Sequence, residues 1–300
     1  MEYTKIEETF PKLNNSAVIL GKFDGLHRGH QSLINTLLRE KDAEAISVVF
    51  AFQFLDSLIL SYEERRRRLE SYGIDLLLEC PLTEEIRHMS PKAFVKEILV
   101  DRLQAALVVV GEDFRFGYER KGTVEELFEL GSMYGFRTIA VSKEMDGNRK
   151  ISSSSIRDAI ALGDMETAER LLGAPFSMDG EVVHGAGLGH RKLLPTINLI
   201  PSPEKKMPPG GVYFTNTYFE DQCYHGITNI GYKPTVDGSY LGVETYLFAC
   251  KEDLYGRSCR TDFLHYSRPE RKFRSIEELK EQLLKDQENG CVYFGIGGKK

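Results

Sequence analysis

The sequence is short of several things, and each shortage removes a class of function. It holds only five cysteines in 300 residues (Cys80, Cys223, Cys250, Cys259 and Cys291), widely spaced and with no C-x-x-C pair. That spacing fits neither a disulfide framework nor a zinc site, and reduced thiols in a cytoplasmic setting are expected. No run of about 18 apolar residues is present to cross a bilayer, and the opening MEYTKIEETFPKLNNS lacks the apolar stretch of a signal peptide. Basic charge is not in excess either: the formal net charge is -6 and the pI is near 5.8. Broad binding to a nucleic-acid backbone or an anionic membrane is therefore not expected. A P-loop sequence and any repeat of solenoid period are also missing.

What remains is an ordinary globular composition, 41% hydrophobic and 28% charged, in a chain long enough for two cores. The two halves follow different patterns. From Ala17 to about Leu172, continuous apolar runs (AVILGKF, ISVVF, IDLLLEC, ALVVVGEDF, RTIAVS) alternate with helical patterns. The first helix places Leu33, Ile34, Leu37 and Leu38 on one face. Ser61 with Glu64 and Thr123 with Glu126 have capping-box spacing, and Ser90 before Pro91 marks another helix start. Continuous apolar strands between helices predict a doubly wound α/β domain with a parallel sheet covered on both faces.

Past Gly173 the pattern becomes strands broken by glycine and proline: GEVVHG, PTINLI, GVYFTNTYF, CYHGITNIGY, GVETYLFA and CRTDFLHY. A compact β-barrel is expected. Ser275 with Glu278 opens a last helix, whose Ile276, Leu279, Leu283 and Leu284 are expected to pack on it. The domain boundary is placed near 174–180, giving domains 1–175 and 176–300. Pro201 to Gly211 reads as a turn-rich connection, and the basic run Arg65–Arg68, with Glu63, Glu64 and Glu70 beside it, as a solvated helix face.

The chemistry is expected after the first strand, where open α/β sheets hold ligands. There the chain reads Gly21-Lys22-Phe23-Asp24-Gly25-Leu26-His27-Arg28-Gly29-His30. Gly21, Gly25 and Gly29 let the backbone approach a ligand, and a helix start offers free N–H groups to phosphate. His27 and His30, three apart, can face one anion and stabilise charge on a phosphorus under attack. A second cluster, Ile151-Ser152-Ser153-Ser154-Ser155-Ile156-Arg157, offers hydroxyls, backbone donors and a fixed cation at another helix start.

The motif G-x-F-D-G-x-H-x-G-H resembles that of the bacterial bifunctional riboflavin kinase/FMN adenylyltransferases, the FAD synthetases. Gly111-Glu112-Asp113-Phe114-Arg115-Phe116-Gly117 is similar to that family's G-x-D-F-R-F-G loop, and the serine cluster to its I-S-S-T-x-I-R motif, with Ser154 in place of threonine. In the second half, His184-Gly185-Ala186-Gly187-Leu188-Gly189 and Pro195-Thr196-Ile197-Asn198 resemble the riboflavin-kinase module. Asn229 to Thr235 and Arg268 to Phe273 are similar to further family segments, and together the matches run from about 17 to 286.

The resemblance implies a Rossmann-like nucleotidyltransferase domain followed by a riboflavin-kinase barrel. It implies ATP, riboflavin and FMN as substrates, with Mg²⁺. In the first domain it assigns nucleotide binding to Gly21, Phe23, Asp24, Gly25, Gly29, Asp113, Ser153, Ser154 and Arg157, and catalysis to His27 and His30. In the second it assigns nucleotide phosphates to Gly185, Gly187 and Gly189, magnesium and phosphate to Thr196 and Asn198, the base to Glu244 and the flavin side to Arg268. Oxygen ligands suit a hard cation, and a carboxylate can accept a hydroxyl proton.

Besides Ser154, two segments depart from the family, the first also lacking proline at Phe52 and Phe54. Gln53, in Phe50-Ala51-Phe52-Gln53-Phe54, stands where the family has the histidine of F-x-P-H-P, and Leu193, in His190-Arg191-Lys192-Leu193-Leu194, stands where it has a glycine. Two narrower expectations stay open on that account. One is a chain that only adenylylates FMN, its barrel an inactive flavin-binding or structural partner; the other is a flavin-binding regulator without turnover.

Overall fold

The structure is a computed structural model that describes all residues except 7–8, 54–56, 185–195, 236–237 and 297–300, with the backbone alone for 234–235 and 238–239. The described residues fall into two compact units, Met1–Ser153 and Ser154–Lys300.

The first unit is built on a six-stranded sheet of β1 (Glu2–Lys5), β2 (Ser16–Gly21), β3 (Ile46–Gln53), β4 (Leu76–Pro81), β5 (Ala105–Gly111) and β6 (Arg137–Val141), in the order β1-β4-β3-β2-β5-β6. Every neighbouring pair is parallel. Alternate residues of one strand enter opposite layers. Val18 and Leu20 pack with Phe94, Ile98 and Leu127 on one face. Ala17 and Ile19 pack with Leu33, Ile34, Leu37 and Leu69 on the other. At about 1.5–3 kcal/mol for each large apolar side chain removed from water, two such layers drive the fold. The doubly wound expectation is met. β1 had no counterpart in the sequence reading, because its exposed, polar EYTK carries no apolar run.

The helices of this unit are α1 (Arg28–Glu40), α2 (Tyr62–Ser71), α3 (Glu84–His88), α4 (Pro91–Ala93) and α5 (Val124–Tyr134). Ser61 and Glu64 form the full reciprocal capping box of α2, Ser90 caps α4, and Thr123 accepts from Glu126 N at the start of α5. Past α4 the backbone widens into a π-helical stretch, Phe94–Val100, in which Asp101 N bonds Lys96 O at 3.0 Å. A short hairpin of β7 (Met145–Asp146) and β8 (Arg149–Lys150) follows β6. The order of strands reverses at β2, so the loops after β2 and β5 flank the switch point of the sheet.

The second unit begins inside α6 (Ser153–Leu162), whose first residue belongs to the first unit, and continues with α7 (Met165–Leu172), then β9 (Phe176–Glu181), β10 (Thr196–Leu199), β11 (Gly211–Phe219), β12 (Gln222–Thr235), β13 (Gly238–Leu247) and β14 (Ser258–Pro269), ending in α8 (Ile276–Phe294). Six strands run antiparallel in the order β10-β13-β12-β11-β14-β9. Just past β9, Val183 N donates to Asn198 O of β10 at 2.9 Å, joining the two ends of the row into a barrel. Inside are the rings of Phe176, Tyr213 and Phe263 and a line of buried threonines, with Thr215 bonded to Thr228 and Thr228 to Thr245, both at 2.8 Å.

The last helix meets expectation in part: Leu279 and Leu283 are half-buried. Ile276 is 54% and Leu284 65% exposed. The docking face instead runs through Asp286, Gly290 and Phe294, each four residues on. Asp286 pairs with Arg268, Gly290 lies against Phe248 and Ile227, and Phe294 stacks on His225 at 4.3 Å. An ion pair and a glycine seat this helix, and neither registers in an apolar periodicity.

Candidate active sites

The first site grows from the end of β2. Phe23, Gly25 and Leu26 all have positive φ (50°, 87° and 46°). For Phe23 and Leu26 such backbone costs about 1–3 kcal/mol each and persists only where surroundings enforce it. Three contacts enforce it. Ile59 N donates to Asp24 Oδ1 at 2.7 Å, Ser153 Oγ donates to Asp24 O at 2.8 Å, and Arg65 Nη1 donates to Lys22 O at 3.3 Å. Gly25 is required as well, since a Cβ there would come within 2.9 Å of Ile59 Cδ1.

The turn delivers His27 to the N-cap of α1, where its Nδ1 accepts from His30 N at 3.4 Å. The two imidazoles stack with centroids 3.7 Å apart and 18° between planes. So close a stack disfavours two charges. Burial pushes His27 down from 6.5 to about 4. It pushes His30 well below its ordinary value too, and the charges of His27 and Arg65 add to the effect. Both rings are therefore neutral at pH 7. With Nδ1 accepting, neutral His27 carries its proton on Nε2 and is a donor there. His30 Nδ1 is buried without a hydrogen-bond partner among the described residues. Gly29 makes room for the stack, since a Cβ would sit 3.2 Å from His27 Cε1.

Of the other residues expected for the first site, Asp113 follows β5, beside β2, Gly21 ends β2 itself, and Ser154 and Arg157 belong to the second unit. Asp113, in the turn after β5, is ion-paired with Lys143. The aromatic rings of its loop, Phe114 and Phe116, stack at 5.7 Å. Gly21 lies against the Phe23 ring. Ser154 and Arg157 lie on the first turns of α6, where Arg157 Nη2 reaches Ser154 Oγ at 3.5 Å.

In the second unit, Thr196 and Asn198 lie on β10, and Asn198 stands opposite Glu244 of β13. Glu244 Oε1 accepts from Thr196 Oγ1 at 2.8 Å, and its Oε2 is ion-paired with Lys233 Nζ. Asn229 of β12 faces Glu244 from the other side. The half-buried floor thus holds one carboxylate, a hydroxyl, two amides and an ammonium. Gly185, Gly187, Gly189 and Leu193 lie outside the described residues. Arg268 is engaged structurally: Nε and Nη2 meet Asp286 at 2.9 and 2.6 Å, and Nη1 donates to Pro269 O at 3.0 Å. Among the described residues no group of three or more His, Cys, Asp or Glu could hold a metal ion.

Two known families match the two halves: FAD synthetase over residues 9–155 and riboflavin kinase over residues 172–294. Bifunctional riboflavin kinase/FMN adenylyltransferases align along nearly the whole chain. That of Buchnera aphidicola (subsp. Acyrthosiphon pisum) is 34% identical, covering 94% of this chain and 95% of the relative. Those of Escherichia coli K12 and Bacillus subtilis 168 are each 32% identical and cover 92% of their own length.

The chain belongs to the bifunctional riboflavin kinase/FMN adenylyltransferase family.

A crystal structure from Streptococcus pneumoniae, described as a macrolide-efflux protein, has the same fold as this family member, with TM-score 0.83, 30% identity and 96% of this chain covered. Efflux is said of that protein; no described helix here is long and apolar enough to cross a membrane.

Sequence reasoning missed one part of this family member's first unit. Arg65, read as part of a solvated face, is 3% exposed and ion-paired with Glu79, which is 1% exposed. Glu79 Oε2 also accepts from Gln53 Nε2 at 2.9 Å and Tyr3 OH at 3.0 Å. The available signal was Glu79 itself, a charge inside the apolar run LLLEC that a buried strand tolerates only when paired.

Proposed function

We propose that the chain makes FAD in two steps, phosphorylating riboflavin with ATP in the barrel and adenylylating FMN with a second ATP in the α/β unit. In the first step the terminal hydroxyl of riboflavin attacks the γ-phosphorus, its proton passes to Glu244, and ADP leaves. Thr196 and Lys233 hold that carboxylate in place. The hydroxyl of Thr196 and the side-chain oxygen of Asn198 are hard donors on one face of β10 and fit Mg²⁺ held together with nucleotide phosphates; bound there, the ion neutralises phosphate charge. Gly185, Gly187 and Gly189 cover those phosphates, and Arg268, anchored by Asp286, orders the flavin-side segment.

In the second step an FMN phosphate oxygen attacks the α-phosphorus of ATP and pyrophosphate leaves. His27 and His30 stabilise the transferring group, aided by Ser153, Ser154 and Arg157. Gly21, Phe23, Asp24, Gly25, Gly29 and Asp113 shape the nucleotide cradle. No covalent intermediate is required. The observation that supports the adenylyl-transfer step is the contact of Ser153 with Asp24 of the histidine motif. The functional division falls at 175/176, just before β9, and the setting is cytoplasmic.

Reduced protein with ATP and Mg²⁺, given riboflavin in one vessel and FMN in another, tests this by chromatography of the flavins. FAD from both supports two activities. FAD from FMN alone removes the kinase, and FAD from neither removes the proposal.

A further inference from the structure

Around Lys22 the backbone holds an arrangement it would not keep alone. Of the residues from Lys22 to Leu26, Phe23, Gly25 and Leu26 have positive φ, and this turn delivers His27 to the head of α1. Two of its anchors belong to motifs already assigned, through Asp24. The third is Arg65 of α2, whose Nη1 donates to Lys22 O at 3.3 Å.

Arg65 is an unusual choice of anchor. Its side chain is 4% exposed, its Nη2 is ion-paired with Glu79, and its Nε is buried without a partner among the described residues. A buried ion pair contributes little stability beyond a well-packed apolar pair, so stability alone does not explain it. Glu79 in turn is fixed by two further donors, Gln53 Nε2 and Tyr3 OH. Burial first, and then the charge of Glu79, push the Tyr3 hydroxyl up to about 12, which keeps it a donor. Gln53 occupies the place of the family histidine. In this chain that place is tied to the ion pair, and the whole chain of contacts, Tyr3 and Gln53 to Glu79 to Arg65 to Lys22 O, ends on the strained turn.

We propose that Arg65 is a positioning residue for adenylyl transfer: it holds the Lys22–Leu26 turn, and through it the paired imidazoles, while Glu79, Gln53 and Tyr3 hold Arg65. This role rests on adenylyl transfer in the first unit. Arg65 is 3% exposed, and in this role it does not act on the reacting atoms directly. It acts through a backbone carbonyl, so its loss alters the rate of the chemical step more than the binding of either substrate.

The test separates positioning from folding. Arg65→Met strands the Glu79 charge and is expected to lower the unfolding midpoint. The pair Arg65→Met with Glu79→Leu removes both charges and is expected to return the midpoint to within about 3 °C of wild type. FAD formation from FMN in that double variant stays about 10-fold to 100-fold low in kcat, with KM for ATP and FMN within about twofold. Riboflavin phosphorylation on the same chain is unchanged.

Recovery of kcat together with the midpoint would show that Arg65 is only structural and overturn the proposal. If the double variant does not fold, Arg65→Lys decides. It keeps a charge for Glu79 but cannot also span to Lys22 O, so wild-type kcat in that variant overturns the proposal equally. A wild-type protein that makes no FAD from FMN refutes adenylyl transfer itself, a separate outcome.

Discussion

Ser153 Oγ donates to the carbonyl oxygen of Asp24 at 2.8 Å, across 129 positions of sequence. The second hydroxyl of the serine cluster thus supports backbone, while the Asp24 carboxylate takes Ile59 N. The expected consequence is a division of labour between adjacent serines. Ser153→Ala should cost about 1 kcal/mol of stability, the net worth of one hydrogen bond, and lower FAD formation through the loosened turn. Ser154→Ala should leave stability within about 0.5 kcal/mol. Denaturant unfolding of both variants checks this; equal losses would contradict it.

The histidine pair and Glu244 belong to separate units, so their loss should separate the two activities. His30→Ala is expected to reduce adenylyl transfer by about 10²–10³, as loss of a preorganised donor does, and to spare riboflavin phosphorylation. Glu244→Gln should do the reverse. Following FMN and FAD by chromatography in each variant decides it, and a parallel fall of both products in either variant would refute separate sites.

Stability should depend on the neutral state of the buried imidazoles. His27 is lowered to about 4 in the folded chain by burial, against 6.5 unfolded. Between those values the unfolded chain binds more protons, so stability is full above about 6.5 and is lost as pH falls toward about 4. The difference corresponds to about 3 kcal/mol. His27→Asn keeps an N-cap acceptor but cannot titrate. The gap in unfolding free energy between wild type and this variant should therefore shift against wild type from pH 7 to pH 4; a constant gap would exclude His27 as its source.

Much of this was legible in the sequence, for identifiable reasons. Continuous apolar runs announced β2 to β6 because both faces of that sheet are covered, and Ser61, Ser90, Thr123 and Ser275 announced helix starts because capping is local chemistry. The contact of Asp24 with Ser153 was foreshadowed only as two motifs with one purpose. Other features are invisible to local pattern. β1 is a polar edge strand held by its pairing to β4. Arg65 lies in a run of arginines, and only its partner Glu79 on another element shows that it is buried. The seat of α8 depends on Asp286 and Gly290, residues that an apolar count passes over.

Asp286 carries the last prediction. It is 2% exposed and receives both Nε and Nη2 of Arg268, while Gln282 Nε2 donates to it at 2.8 Å. Asp286→Ala leaves a guanidinium without its partner beneath α8. Removing one member of a buried pair costs about 3–5 kcal/mol, and here toward the lower end because the Arg268 side chain is 22% exposed and can regain water. The loss falls on the barrel, so riboflavin phosphorylation should fail at a lower temperature than FAD formation from FMN. Asp286→Asn, which retains an acceptor for Arg268, should fall between wild type and the alanine variant. Activity against temperature for both reactions in both variants measures this. Equal heat sensitivity of the two reactions in Asp286→Ala would mean that Arg268 and Asp286 do not seat the helix as the geometry requires.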